Sequence, residues 1–188
     1  MGASRINLNP VLAPCVALCL ALAVPAHAQE ASRLDGMYEA LKTAPAPEAA
    51  RLGREIRLEL AKSGSAAMNL LLKRGRDAMS AGDTGLAIEL LSALTDHAPG
   101  FSEGWHARSV AFARAGMLGA AIGDLERALA LEPRNFAAIY SLGALLEEIG
   151  QPVLALEAYA RVTKIHPHFD DTGAAMARIG ADTQGADL

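Results

Sequence analysis

Pro99, Pro133 and Pro167 stand 34 residues apart, and the residues between them keep the same step. On that step Gly82, Gly116 and Gly150 share one column, and Ala87, Ala121 and Ala155 share another. Leu91, Leu125 and Tyr159 form a third column, and Leu94, Ala128 and Val162 a fourth. A period of this length is one helix–turn–helix unit, whose apolar face cannot be buried within the unit itself. Such units must stack on one another, so the chain reads as an all-α solenoid of helical hairpins.

The units run over 68–101, 102–135 and 136–169. In each, a first helix ends near Gly82, Gly116 or Gly150, because glycine takes a left-handed conformation just past a helix end at little cost. A second helix then starts at about Asp83, Met117 or Pro152 and runs to about Thr95, Leu131 or Ile165. The repeating proline stops it or prevents its continuation. Small residues (Gly75, Ser109 and Gly143) share a column on the first helices, where Ala87, Ala121 and Ala155 are expected to face them. Leu71, Trp105 and Ile139 fill one wider gap, and Phe112 and Leu146 another.

The first thirty residues are of a different kind. Arg5 is the only charged side chain before Glu30, and an apolar stretch from Val11 to Val24 leads to Ala26-His27-Ala28. This is the pattern of a cleavable export leader over residues 1–28, with the cut between Ala28 and Gln29. The apolar stretch is short of the roughly 20 residues that a spanning helix needs. Both cysteines, Cys15 and Cys19, lie in the leader, so the exported chain can form no disulfide and depends on helix packing. The full chain carries 17 Lys and Arg against 21 Asp and Glu. Losing Arg5 leaves it more acidic still, without the basic stripe that nucleic acid requires. The localisation expected from the leader is periplasmic.

The repeat columns resemble those of the tetratricopeptide-repeat (TPR) family. The third unit carries the pattern in Leu142-Gly143, Gly150, Ala155, Tyr159 and Pro167. The second supplies Trp105, Phe112, Ala121, Ala128, Leu129 and Pro133, and the first Gly75, Gly82, Ala87 and Pro99. Three further segments are similar to those of small exported repeat proteins of bacteria. They are Ser63-Gly64-Ser65-Ala66-Ala67-Met68, Leu94-Thr95-Asp96-His97-Ala98-Pro99 and Ile165-His166-Pro167-His168. The resemblance implies a right-handed solenoid of three units over 66–169. It departs from the family at Arg74 and Arg108, which stand where Leu142 sits in the third unit; an arginine stem can lie along apolar surface there. Stacked repeats need covered ends. A capping helix is expected from Asp170 to about Ala181, using Ala174, Met176, Ala177 and Ile179, with Asp170 or Asp171 as its cap. A polar tail then runs to Leu188. Residues 29–65 are expected to form an N-terminal cap or degenerate repeat, with helices over Leu34–Thr43 and from Pro47 to about Ala61.

By the same resemblance, the first helices line a concave groove that binds a protein segment. The wall positions are Asn69, Leu72, Lys73, Arg76 and Met79, then Glu103, His106, Val110 and Arg114, then Tyr140, Ser141, Glu147 and Glu148. Tyrosine and arginine are favoured anchors in interfaces. Some family members grip a peptide carboxylate with Lys, Asn and Arg. Here Arg76 and Val110 occupy the positions of the required Asn, so an extended segment or a helix is the better fit.

No chemistry emerges beside this. Of His97, His106, His166 and His168, the last two flank Pro167 at one junction and His97 falls on a separate turn of the solenoid, so the reading is of exposed helix-end residues rather than metal ligands. No serine sits in a nucleophile elbow. Glu147-Glu148 and Asp170-Asp171 are sequence neighbours that point in different directions on a helix. Gly116-Met117-Leu118-Gly119 lacks the lysine of a phosphate loop. The expectation is a non-enzymatic adaptor of the cell envelope without metal or cofactor; the alternative is a structural protein whose repeats self-associate. Ala121→Leu is expected to overpack the helix pair and lower stability by about 1–3 kcal/mol, read as a fall in the thermal midpoint; an unchanged melt would remove the pairing.

Overall fold

In a computed structural model of the chain, residues 26–185 are described. The leader therefore lies almost wholly outside the described residues, as does the end of the tail. Nine helices and no strand occupy the described residues. They are α1 (Ala26–Leu41), α2 (Ala46–Leu60), α3 (Ala66–Ser80), α4 (Thr84–His97), α5 (Ser102–Arg114), α6 (Leu118–Leu131), α7 (Phe136–Glu148), α8 (Pro152–Ile165) and α9 (Asp170–Gly185). The chain divides into two compact units at Gly36 and Met37. Of the first unit, 26–36 form the opening turns of α1, which starts upstream of the expected cut. The second holds the end of α1 and everything after it.

The three 34-residue units are the hairpins α3–α4, α5–α6 and α7–α8. Each turns on its glycine: Gly82, Gly116 and Gly150 have φ of +81°, +72° and +75°. In every case the glycine N–H donates back to the helix, and so does the next residue. Asp83 N donates to the Ala78 carbonyl at 2.9 Å, Met117 N to Phe112 at 2.9 Å, and Gln151 N to Leu146 at 2.8 Å. These bonds occupy carbonyls that a helix end otherwise leaves without partners. Asp83 then caps α4, its Oδ1 accepting from Leu86 N at 3.0 Å.

Small against large sets the spacing within a hairpin. A Cβ on Gly75 would lie 2.6 Å from Leu91 Cγ, and one on Gly143 would lie 2.7 Å from the Tyr159 ring. The side chains that press on the glycines thus come from the Leu91/Leu125/Tyr159 column and not from Ala87, Ala121 and Ala155. Those alanines are fully buried, but a methyl group is too short to fill the space opposite a missing side chain. Leu91, Leu125 and Tyr159 are themselves at most 1% exposed.

In the second hairpin, Arg108 on α5 forks onto Asp124 on α6, with Nε–Oδ2 at 2.7 Å and Nη2–Oδ1 at 2.9 Å. Its guanidinium lies 4.9 Å from the centre of the Trp105 ring and 5.3 Å from that of Phe112. The hydrogen bond to Asp124 raises the guanidinium's pKa further above its ordinary value, against the opposing effect of burial. Arg108 is a packing residue. It stands where the third hairpin has Leu142, and Asp124 stands where that hairpin has Ala158. Arg74, in the same column, is exposed on α3.

At the C-terminal end, α9 buries Thr172, Ala175 and Ile179 against Ala155 and Tyr159, with Met176 alongside. Ala174 and Ala177, expected to help, are exposed. The buried stripe runs at steps of three and four from Thr172, one residue round the helix from the expected face. The helix also runs past Ala181, to Gly185. The side chains of Asp170 and Asp171, expected to cap it, lie outside the described set.

Asp124→Ala is expected to cost about 3 kcal/mol, because it leaves a largely buried guanidinium without its carboxylate. Arg108→Leu with Asp124→Ala rebuilds the pairing of the third hairpin and should recover most of that loss. Urea unfolding of the two variants checks both values; a double variant no better than the single one would remove the assignment.

Candidate functional site

The first helices α3, α5 and α7 carry the wall, and its centre is a ladder of polar contacts that crosses all three hairpins. The Arg76 guanidinium on α3 pairs with the Glu103 carboxylate on α5. Glu103 faces His106 Nδ1 at 3.4 Å and accepts from Asn135 Nδ2 at 3.3 Å. His106 Nε2 lies 3.2 Å from Ser141 Oγ on α7, and that hydroxyl donates to the Ala137 carbonyl at 3.0 Å. Asn135 also caps α7, its Oδ1 accepting from Ala138 N at 3.1 Å. Arg76, Glu103, His106 and Ser141, singled out by position, are thus joined to one another. Asn135 completes the set and was missed, because an N-cap asparagine reads as purely local.

The Glu103 carboxyl is 7% exposed. Burial alone would push its pKa up. The hydrogen bond and charge of His106, the charge of Arg76 and the Asn135 amide outweigh that burial and hold it below the usual carboxylate range.

The remaining positions are spent elsewhere. Asn69 Oδ1 accepts from Ser63 N at 2.8 Å and from Ser63 Oγ at 2.7 Å, which fixes the loop before α3. Leu72 is 3% exposed and belongs to the core with Leu91 and Leu94 rather than to an open wall. Lys73 pairs with Asp77 on its own helix at 2.6 Å. Arg114 Nη1 donates to the Met79 carbonyl at 3.0 Å, capping the end of α3. The Tyr140 ring packs 5.3 Å from both Tyr159 and Phe169. Glu147 accepts from Arg178 Nε at 2.8 Å and Nη2 at 2.9 Å, and from the Tyr159 hydroxyl at 3.1 Å. It holds α9, and the Arg178 hydrogen bond is the main cause of its lowered pKa. Glu148 is exposed.

Val110 lines a cavity of about 620 Å³ with Arg76, Met79, Ser80, Glu103, His106, Ala107 and Ala137. The opposite side of that cavity is the chain's own α2, through Arg54, Arg57, Leu58 and Ala61. Further along α2, Gly53 is pressed against the third hairpin. A Cβ there would lie 2.7 Å from His166 Nε2 and 3.7 Å from Phe136 Cζ. His166 is 4% exposed and Phe136 1%. The reading of His166 as an exposed junction residue is therefore corrected; His97 and His168 are exposed. Helix α2 reaches from the first hairpin, whose end shares the cavity with it, to His166 of the third. One signal for this was in the sequence: Ala49, Leu52, Gly53 and Ile56, all buried, form an i, i+3, i+4, i+7 stripe. Leu58, counted with that apolar content, is 67% exposed.

Among the described residues, no three His, Cys, Asp or Glu side chains come together as metal ligands, and no helix is long and apolar enough to cross a membrane.

Comparison with known proteins gives the same architecture. No family model matches the chain. A TPR repeat-containing protein of Rhizobium etli is 32% identical over 136 residues, which cover 72% of this chain and 67% of that protein. Among solved structures, MamA is 27% identical with a TM-score of 0.59, over 62% of this chain and 68% of that one. The first TPR domain of Spaghetti, bound to an HSP90 peptide, is 21% identical with a TM-score of 0.61, over 64% of this chain and 95% of that one.

The lowered pKa of Glu103 has a testable sign. Its stabilising contribution is complete above the ordinary carboxylate range and is lost as pH falls below about 4, through the folded-state value. Glu103→Gln is expected to be about 1–3 kcal/mol less stable at pH 7 and to lose less stability than the parent between pH 5 and pH 3, by about one carboxylate's contribution. Thermal melts across that range check it; parallel pH profiles would refute it.

Proposed function

The chain belongs to the tetratricopeptide-repeat family, and from that premise we propose that it is an exported, non-enzymatic adaptor of the cell envelope, taking a helix or peptide of a partner protein in its concave groove. The TPR fold is a protein-interaction fold, and a neighbour of the same architecture holds a peptide. The observation that carries the reading is the wall itself. Three first helices present side chains to one cavity, and the polar ladder holds them in fixed positions before any partner arrives, which lowers the cost of binding. Export rests on the leader: Arg5, the apolar Val11–Val24 and the small residues Ala26 and Ala28.

A second reading, self-association, is favoured by apolar residues left exposed around the hairpin turns. Met117, Ile149, Val153 and Leu154 are 48%, 41%, 67% and 46% exposed. Gel filtration separates it, since a sharp monomer peak removes it.

The adaptor reading is tested by crosslinking a tagged chain in intact cells, with Val110→Lys as comparison. Val110 is half-buried, lines the cavity and packs against the core of the first two hairpins, so circular dichroism first checks that the variant is folded. The expected outcome is a periplasmic chain starting at Gln29 with a reproducible envelope partner, reduced at least about tenfold in the variant. An uncleaved cytoplasmic chain would overturn export, and a partner retained by Val110→Lys would overturn the groove.

A further inference from the structure

Helix α2 occupies the wall in the manner of a ligand. Its buried residues Ala49, Leu52, Gly53 and Ile56 make one stripe, the pattern by which an amphipathic helix lies in a groove. At the stripe's centre the helix backbone comes against the His166 ring, since even a Cβ on Gly53 would reach 2.7 Å from Nε2. That ring cannot swing aside freely. Phe136 and Phe169 flank it edge-on, with centroids at 5.1 Å and 5.5 Å. Glycine is therefore the residue this contact selects.

Two features separate α2 from the repeats. It does not follow the 34-residue order, because Gly53 touches a residue that lies beyond two further hairpins. Its ion pairs Arg51–Glu48 and Arg51–Glu55 run along its own surface at three- and four-residue spacing. Such pairs support a helix whether or not it is docked.

We propose that α2 is a resident stand-in for the groove's partner. The partner is then an amphipathic helix with the same pattern, a small residue, then Leu-Gly three positions on, then Ile or Leu, and it binds by displacing α2. This deepens the adaptor reading and rests on it. A groove held shut by its own helix binds an outside helix with an affinity reduced by the fraction of time it stands open.

The test uses the exported chain from Gln29 onward and, as probe, a fluorescent synthetic peptide of residues 44–62. Gly53→Leu drives a side chain into the His166 ring, and Ile56→Glu places a charge at a fully buried point of the stripe. Both are expected to release α2. Anisotropy titrations should show the peptide binding either variant at least tenfold more tightly than the parent, and about a hundredfold more tightly if the parent opens only 1% of the time. Hydrogen exchange should show α2 losing protection while α3–α9 keep theirs. Loss of protection in α3–α9 in both variants would overturn the proposal, since α2 would then be part of the repeat core. So would a released groove that fails to take the peptide, or a parent chain that takes it equally well.

The adaptor reading fails separately. If parent and Gly53→Leu capture the same envelope partner equally, the adaptor stands and the displacement falls. If Gly53→Leu takes the peptide but neither chain captures an envelope partner, the displacement stands and the adaptor falls.

Discussion

A missing side chain opposite a long one fixes how closely the two helices of a hairpin approach. Leu91 lies on Gly75 and Tyr159 on Gly143. Because these contacts recur at the same point of the first and third units, those units have matching thickness, and the stack can repeat. The left-handed glycines at the turns set the return direction, and the close glycine contacts set the separation. With direction and separation fixed, α3, α5 and α7 fall side by side, and a side chain from one can reach the next. The ladder from Arg76 to Ser141 depends on that spacing.

The second hairpin shows how much chemical variation the arrangement accepts. Arg108 and Asp124 replace an apolar pair with a charged one, and the Trp105 and Phe112 rings cover the guanidinium. A buried charge pair of this geometry is close to neutral against an apolar pair, and costly only when broken. The unit therefore keeps its shape although a core position holds a charge.

Much of this was legible in the sequence. A column repeated three times reports a contact made three times, so the hairpins and their glycine turns could be read from spacing. Contacts made once leave no such trace. Nothing in a period of 34 relates Gly53 to His166, or marks Asn135 as a partner of Glu103. The wall positions carried over from the family lie on α3, α5 and α7, but position alone said nothing of availability. Leu72 is core, Glu147 is engaged with Arg178, and Tyr140 is part of an aromatic cluster. Position on a helix face says which way a residue points, and only the packing says what already lies there.

The connection between α2 and α3 is short, from Ala61 to Ser65, and Asn69 pins it through both the backbone and the hydroxyl of Ser63. A helix on so brief a tether is present at its own groove at an effective concentration on the order of millimolar. A free partner at about 1 μM must then bind the groove roughly a thousandfold more tightly than α2 does, merely to share it equally. The loop thereby acts as a threshold. Under the displacement proposed above, it filters out weak encounters and leaves the groove to a helix that fits it better than the chain's own.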